Sequence, residues 1–463
     1  MGRFACQQVI RRAVTGAAIG LVCVLAAPPP AVAQEARRTY IRDAETEDLL
    51  RDYLDPILRA ARQPPAAVKL ALVQDRAFNA FVANGRRMTV FLGAIIDAQT
   101  PNELTGVLAH ETGHISGGHL ARLSQELPKA QAIAVLGSLL GVGALVGASR
   151  GNVGVQGTAP GGLIMGGSEL AMRSLLAFQR TEETAADRAA MAFLQATKQS
   201  GKGMVDTLKR FAEQQMFLAS RVDRYLLSHP LAADRIAAIE AVAKESPYYE
   251  AKDPPALVLR HNLVRAKLVA FTGKADEVSR RYPATDTSLP ARYARAIAAH
   301  RFSRGGNAQA MIDALIAAQP RNPYFWELKG QNLLENAQAA AAVGPLRKAV
   351  SLAPGQPLLR VLLGHALIGT GTPANLDAAI KELTVAKQRD PEVLEAYVFL
   401  AQAHERRGNS AEAELVTAEG YFIAGAHAEA QRLAKRAQTK FPPGSINWRR
   451  ADDIATFKAA NKG

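Results

Sequence analysis

The sequence predicts a mostly helical α+β chain, with a first domain that carries a small sheet and a second, all-α domain of repeated helix pairs. Three observations carry this reading. The composition over 463 residues is 48% hydrophobic, 21% charged and 6% aromatic, which fits an Ala-rich globular chain long enough for two domains. Apolar stretches flank an Asn-Gly dipeptide within residues 68–92, a hairpin signal. Pro320, Pro354 and Pro391 each precede a helical pattern, separated by 34 and 37 residues.

The first 33 residues read as a leader. Arg3, Arg11 and Arg12 form a basic start, Ala13 to Ala27 an uncharged apolar run, and Ala31-Val32-Ala33 a small-residue cleavage site. The run is short for a membrane span and is followed by Pro28 to Pro30, so removal near Gln34 is expected. Both cysteines, Cys6 and Cys23, fall inside this segment, which excludes thiol and disulfide chemistry from the expected mature chain. The formal net charge is +14, and the leader arginines account for only three of it. A basic surface attracts anionic lipid or acidic partners, but no nucleic-acid motif accompanies it, and no nucleic-acid partner is expected.

The first domain is expected over residues 34–250. Leu49, Leu50, Tyr53, Leu54, Ile57 and Leu58 recur at helical spacing within Asp43 to Ala61. Strands follow at Val68 to Val73, Asn79 to Ala83 and Met88 to Leu92, the last two joined at Asn84-Gly85. A helix from Glu103 to Leu123 is expected to turn Leu104, Val107, Leu108, Ile115 and Leu120 to the core. Ala132 to Ala148 lacks charge and contains four glycines, which suits a flap over the site or a buried helix better than a span; peripheral membrane contact through it is the competing reading. A loop is expected from there to Gly167. Ser246 to Pro255 breaks helical periodicity and marks the boundary. Residues 251–463 then carry the repeat, whose period is that of tetratricopeptide helix pairs, with first helices at Tyr324 to Leu334, Leu358 to Ile368 and Val393 to His404. Such stacks present a concave face to peptides or partner proteins.

The chemistry is concentrated in His110-Glu111-Thr112-Gly113-His114. On a helix the two histidines share a face and can reach one tetrahedral metal, while Glu111 points at the water the metal would hold. Gly113 costs such a helix up to about 1 kcal/mol relative to Ala. His119 is not a third ligand of the extended motif, which places that histidine six residues after the second ligand, where Leu120 stands; it reads as a surface residue or one behind the ligands. The best third donor is Glu183 in Thr181-Glu182-Glu183-Thr184-Ala185-Ala186-Asp187-Arg188, with Asp187 one turn on to fix a histidine tautomer. Taken alone, an acidic helix segment is more often a solvated face.

These two segments, with Ser228-His229-Pro230 and Arg235, resemble the zinc metallopeptidase family that includes the prenyl-protein endoproteases and the bacterial heat-shock membrane protease. The secreted branch with carboxy-terminal tetratricopeptide repeats is the nearest match, over almost the whole expected mature chain. The resemblance implies a zincin-like catalytic domain with one Zn2+ on His110, His114 and Glu183, selecting Glu183 over Glu182 by its place three residues before Ala186-Asp187. It implies Glu111 as the base, Arg235 near the developing oxyanion, and His229 either holding the tetrahedral intermediate or occupying the open metal position to keep the enzyme latent. It further implies a periplasmic endopeptidase acting on unfolded or stalled outer-membrane proteins, with their barrel assembly machinery as partner. A chaperone or assembly scaffold with a normally shut peptidase site is the second reading, and a purely structural metal site is disfavoured because Glu111 would have no use in one.

Overall fold

The computed structural model describes residues 39–132, 160–217, 229, 233–303 and 307–458. The expected leader and nearly all of the 132–148 segment lie outside these residues. Helix α1, Ala44–Ala60, starts where the Asp43 carboxylate accepts from the Thr46 amide, and its six periodic apolar residues are all buried. The strands β1 (Tyr40–Ile41), β2 (Lys69–Val73), β3 (Ala80–Ala83) and β4 (Arg87–Phe91) form one four-stranded sheet in the order β1-β2-β4-β3. The β3–β4 hairpin turns at Asn84 and Gly85, both at positive φ, which these two residues tolerate better than others. Strands β2 and β4 run parallel, with Leu72 opposite Val90. Strand β3 is therefore an edge, and it packs on the motif helix.

After the short α2 (Leu92–Asp97) comes the motif helix α3, Pro101–Gly117. Its start is fixed reciprocally: Thr100 accepts from the Glu103 amide, and the Glu103 carboxylate accepts from the Gln99 amide. Leu104, Val107 and Leu108 are buried as expected. The helix does not run on to Leu123. Gly118 adopts a left-handed conformation at φ 66 and ends it, a second helical stretch covers 119–132, and Leu120 is 42% exposed rather than in the core. The Gly-rich stretch also departs from expectation, because α4 runs from Pro160 to Ala196 and takes in Gly161 to Gly167. Glycine weakens a helix by only ~1 kcal/mol per residue, and Pro160 is a favourable first helical residue. Helices α5 (Lys202–Phe217) and α6 (Ala233–Glu245) pack together, α5 resting on α3 and α6 on α4.

Beyond the Ser246 to Pro254 turn region the chain is all helix. Helix α7, Pro255–Thr272, begins a succession in which each helix packs on the next. Pro323–Glu335, Pro357–Thr370 and Leu394–Arg406 fall on the three expected first helices, paired with Ala339–Leu352, Pro373–Arg389 and Ser410–Ile423. The core is continuous across residue 250, because Leu263, Val264, Leu268 and Val269 of α7 join the cluster that contains Leu49, Leu54 and Leu104. The repeat helices also reach back to the chain start. Lys267 Nζ lies 2.6 Å from Asp43, Tyr324 donates to Asp48, and Arg87 forms a two-pronged pair with Glu392.

Candidate metal centre

Helices α3 and α4 touch at Gly113. A Cβ there would lie 2.7 Å from the Ala186 carbonyl oxygen, so the residue that weakens α3 as a helix is what lets α4 lie against the histidines. This contact brings Glu183 and Asp187 opposite His110. The His110 Nε2 and His114 Nε2 atoms are 3.0 Å apart, and Glu183 lies 3.4 Å from the first and 3.3 Å from the second. His229 adds Nδ1, 3.3 Å from His110 Nε2 and 3.0 Å from Glu183. All four ligand atoms fall within 4.8 Å of one another.

This donor set fits a metal ion. Ligands about 2.0–2.1 Å from a tetrahedral zinc are about 3.3 Å from each other; five of the six donor pairs here, taking the nearer Glu183 oxygen in each, are 3.0 to 3.4 Å apart, and all lie within 4.8 Å. Two imidazole nitrogens facing one another beside a third and a carboxylate share one focus, which suits a common cation better than pairwise hydrogen bonding. Among the described residues this is the one group of histidine and acidic side chains with such convergence.

The electrostatics point the same way. Burial disfavours a charged His110, but the Asp187 and Glu183 carboxylates beside it outweigh that and raise its pKa to about 10. Glu183 moves in the opposite direction, far below the usual carboxylate range, because His110, His114 and His229 outweigh its burial. The centre therefore favours positive charge where its donors meet. Burial pushes Glu111 up to about 7, and its Oε1 sits 3.2 Å from His229 Nε2.

Behind the donors, each motif histidine has its own support. His110 Nδ1 lies 2.8 Å from Asp187, and Arg235 grips Asp187 through Nε and Nη2 at 2.6 and 2.9 Å. The third guanidinium nitrogen is 3.0 Å from Glu183. Arg235 thus binds two carboxylates behind the centre, a placement that the oxyanion expectation did not anticipate. Its helix is described from Ala233, and Pro230 lies outside the described residues. His114 is supported instead by His119, whose Nδ1 lies 2.8 Å from His114 Nδ1 and whose Nε2 lies 3.2 Å from Glu182. His119 is 6% exposed, so of its two sequence readings the one behind the ligands describes its place. Arg122 carried no signal in the sequence, and Glu182 appeared there only as the donor passed over for Glu183; their approach across 60 positions, with Arg122 donating to both Glu182 oxygens, shows what they do.

Residues 43–243 match the model of Peptidase family M48. The chain is 26% identical over 392 residues to a beta-barrel assembly-enhancing protease of Yersinia pestis, covering 82% of this chain and 76% of the relative. The protein of the same name from Escherichia coli (strain K12) is 24% identical over 393 residues with the same coverage, and a putative one from Vibrio cholerae is 26% identical over 381 residues, covering 79% and 75%. A solved structure described as MamA MSR-1 C2 matches 36% of this chain at 19% identity and a TM-score of 0.31, too low a likeness to bear on the fold.

Proposed function

Because residues 43–243 match the model of Peptidase family M48, we propose that the chain is a zinc endopeptidase of the periplasm that hydrolyses unfolded or stalled outer-membrane proteins. The observation that carries the reading is the convergence of His110, His114 and Glu183 with Glu111 beside them. His110, His114 and Glu183 hold the ion, and zinc suits two imidazoles and a carboxylate at tetrahedral spacing. The ion, when bound, supplies Lewis acidity and a lowered pKa for water.

The chain's own groups do the rest. Glu111 takes a proton from the attacking water and hands it to the leaving nitrogen. Arg235 acts as a positioning residue, fixing Asp187 behind His110 and one oxygen of Glu183. The open edge of β3 pairs with an extended substrate through main-chain hydrogen bonds, which gives affinity with little sequence preference. His229 supplies a fourth donor and so shuts the resting site, a latency its position beside both Glu183 and Glu111 supports. The helix pairs dock clients or the barrel assembly machinery, as the names of the relatives suggest. No helix among the described residues is long and apolar enough to cross a membrane.

A second reading, an assembly scaffold with a latent site, is favoured by the same His229 contact. The test is degradation of casein, and of an unfolded outer-membrane barrel protein, by purified zinc-loaded chain. The peptidase reading expects cleavage that Glu111→Gln abolishes and His229→Ala accelerates several-fold. Absence of cleavage by both wild type and His229→Ala, with zinc bound, would transfer the assignment to the scaffold.

A further inference from the structure

We propose that His119 is a positioning residue for the metal centre, the middle member of a relay that runs from Arg122 through Glu182 and His119 to His114 and fixes which nitrogen of His114 faces the metal. The inference rests on His114 being a metal ligand, the reading given above.

The proton inventory gives the relay its direction. His114 turns Nε2 toward His110 and Glu183, so in a ligand role that nitrogen presents its lone pair and the ring proton sits on Nδ1. The atom facing it is His119 Nδ1, 2.8 Å away, and two nitrogens at that distance share one hydrogen. His114 Nδ1–H therefore donates and His119 Nδ1 accepts. The His119 proton is then on Nε2, the ring nitrogen that faces the Glu182 carboxylate at 3.2 Å. Arg122 completes the relay with bonds of 2.6 and 3.2 Å to the two Glu182 oxygens. Reversing any one proton would place two donors or two lone pairs face to face.

The backbone is shaped to permit this. The left-handed Gly118 ends α3 and folds the next residue back over it. A Cβ on Gly117 would fall 2.1 Å from His119 Nε2, so the ring reaches this place only because position 117 has no side chain. Packing alone would account for a buried ring at a helix end. It would not account for both ring nitrogens meeting complementary partners, one of them on a different helix.

The experiment measures zinc affinity of the full mature chain by competition with a chromophoric chelator, for His114→Ala, His119→Ala, His119→Asn, Glu182→Gln and Gly117→Ala. His119→Ala is expected to weaken zinc ~10- to 100-fold, the usual effect of removing a partner behind a ligand. His119→Asn, whose Oδ1 can accept where Nδ1 did, is expected to recover most of that loss, and Gly117→Ala, which pushes the ring aside, to weaken zinc in the same direction. Nitrogen-15 histidine spectra of the zinc-loaded protein are expected to show His114 protonated on Nδ1. Wild-type affinity in His119→Ala alongside loss in His114→Ala would overturn the relay and leave the ligand reading intact, whereas wild-type affinity in His114→Ala would sink that reading itself. Equal weakening in His119→Ala and His119→Asn would reduce His119 to packing. If His119→Ala does not fold, Glu182→Gln carries the test: it is expected to weaken zinc a few-fold, and wild-type affinity there overturns the proposal.

Discussion

At the junction with the repeat helices, Lys267 Nζ lies 2.6 Å from Asp43, 3.4 Å from Glu45 and 3.5 Å from Glu327, and Tyr293 donates to Glu45. Between α3 and α4, His110, His114, Glu183 and His229 meet at similar distances. Both clusters bury groups that resist burial. At the junction burial pushes Glu45 up to about 7, while Asp43 and its acidic neighbours hold Lys267 in its charged form. The junction thus carries its cation covalently, on a side chain of α7, and its charge balance is part of folding. The centre offers lone pairs to a cation that comes from solution, so its balance responds to metal and to pH. One cluster ties helix α7 to the start of α1; on the proposed reading the other works because what it holds can exchange.

The largest effects should separate the two clusters cleanly. Glu111→Gln should lower kcat/KM by ~10²- to 10⁴-fold with zinc content and melting temperature near wild type. Lys267→Met should do the reverse, costing ~3–5 kcal/mol of stability by leaving three carboxylates without their partner, while zinc content at temperatures well below melting stays at wild type. Paired calorimetry and metal analysis check both; a Lys267 variant that melts like wild type would show that the junction contributes no stability.

Chelation gives a smaller, pH-dependent contrast. Zinc at a hundred times its Kd adds about 2.7 kcal/mol to stability, and a chelator removes it. The raised pKa of His110, about 10 against an ordinary 6.5, means that its proton stabilises the metal-free fold fully below pH 6.5 and that this is lost as pH rises toward 10. The metal takes the place of that proton, so the gap between the melting temperatures of loaded and chelated protein should widen across this window. A gap independent of pH would contradict the assignment. Lys267→Met should leave the gap unchanged. Smallest of all, Arg235→Lys should weaken zinc ~10-fold, since one ammonium cannot reproduce a fork across Asp187 and Glu183; chelator competition reads it.

The same contrast marks what a sequence discloses. His110, Glu111 and His114 are legible because helical spacing alone puts them on one face, and Asn84-Gly85 because the turn's backbone demands those residues. The first helices at 323, 357 and 394 are legible because a repeat period is a property of sequence. What escaped is partly a local stop that the apolar pattern overrode and partly contacts between distant segments. The break at Gly118 leaves Leu120 exposed and folds His119 back, although the apolar periodicity continues through it. Pro160 to Gly167 is helical within the long α4 although four glycines suggest a loop. Lys267, a lone lysine in a helical pattern, gives no hint of burial until Asp43 and Glu327 are seen around it. Glu183 is an intermediate case. Its segment by itself reads as a solvated face, the resemblance singled it out, and Gly113 is the local reason α4 can bring it to the histidines.

The most direct test of the central claim, that His110, His114 and Glu183 hold the ion that Glu111 uses, is zinc stoichiometry by mass spectrometry alongside casein cleavage for wild type, Glu183→Gln and Glu111→Gln. The account predicts one zinc and cleavage for wild type, one zinc without cleavage for Glu111→Gln, and loss of both for Glu183→Gln. Full zinc retention and wild-type cleavage in Glu183→Gln would contradict it.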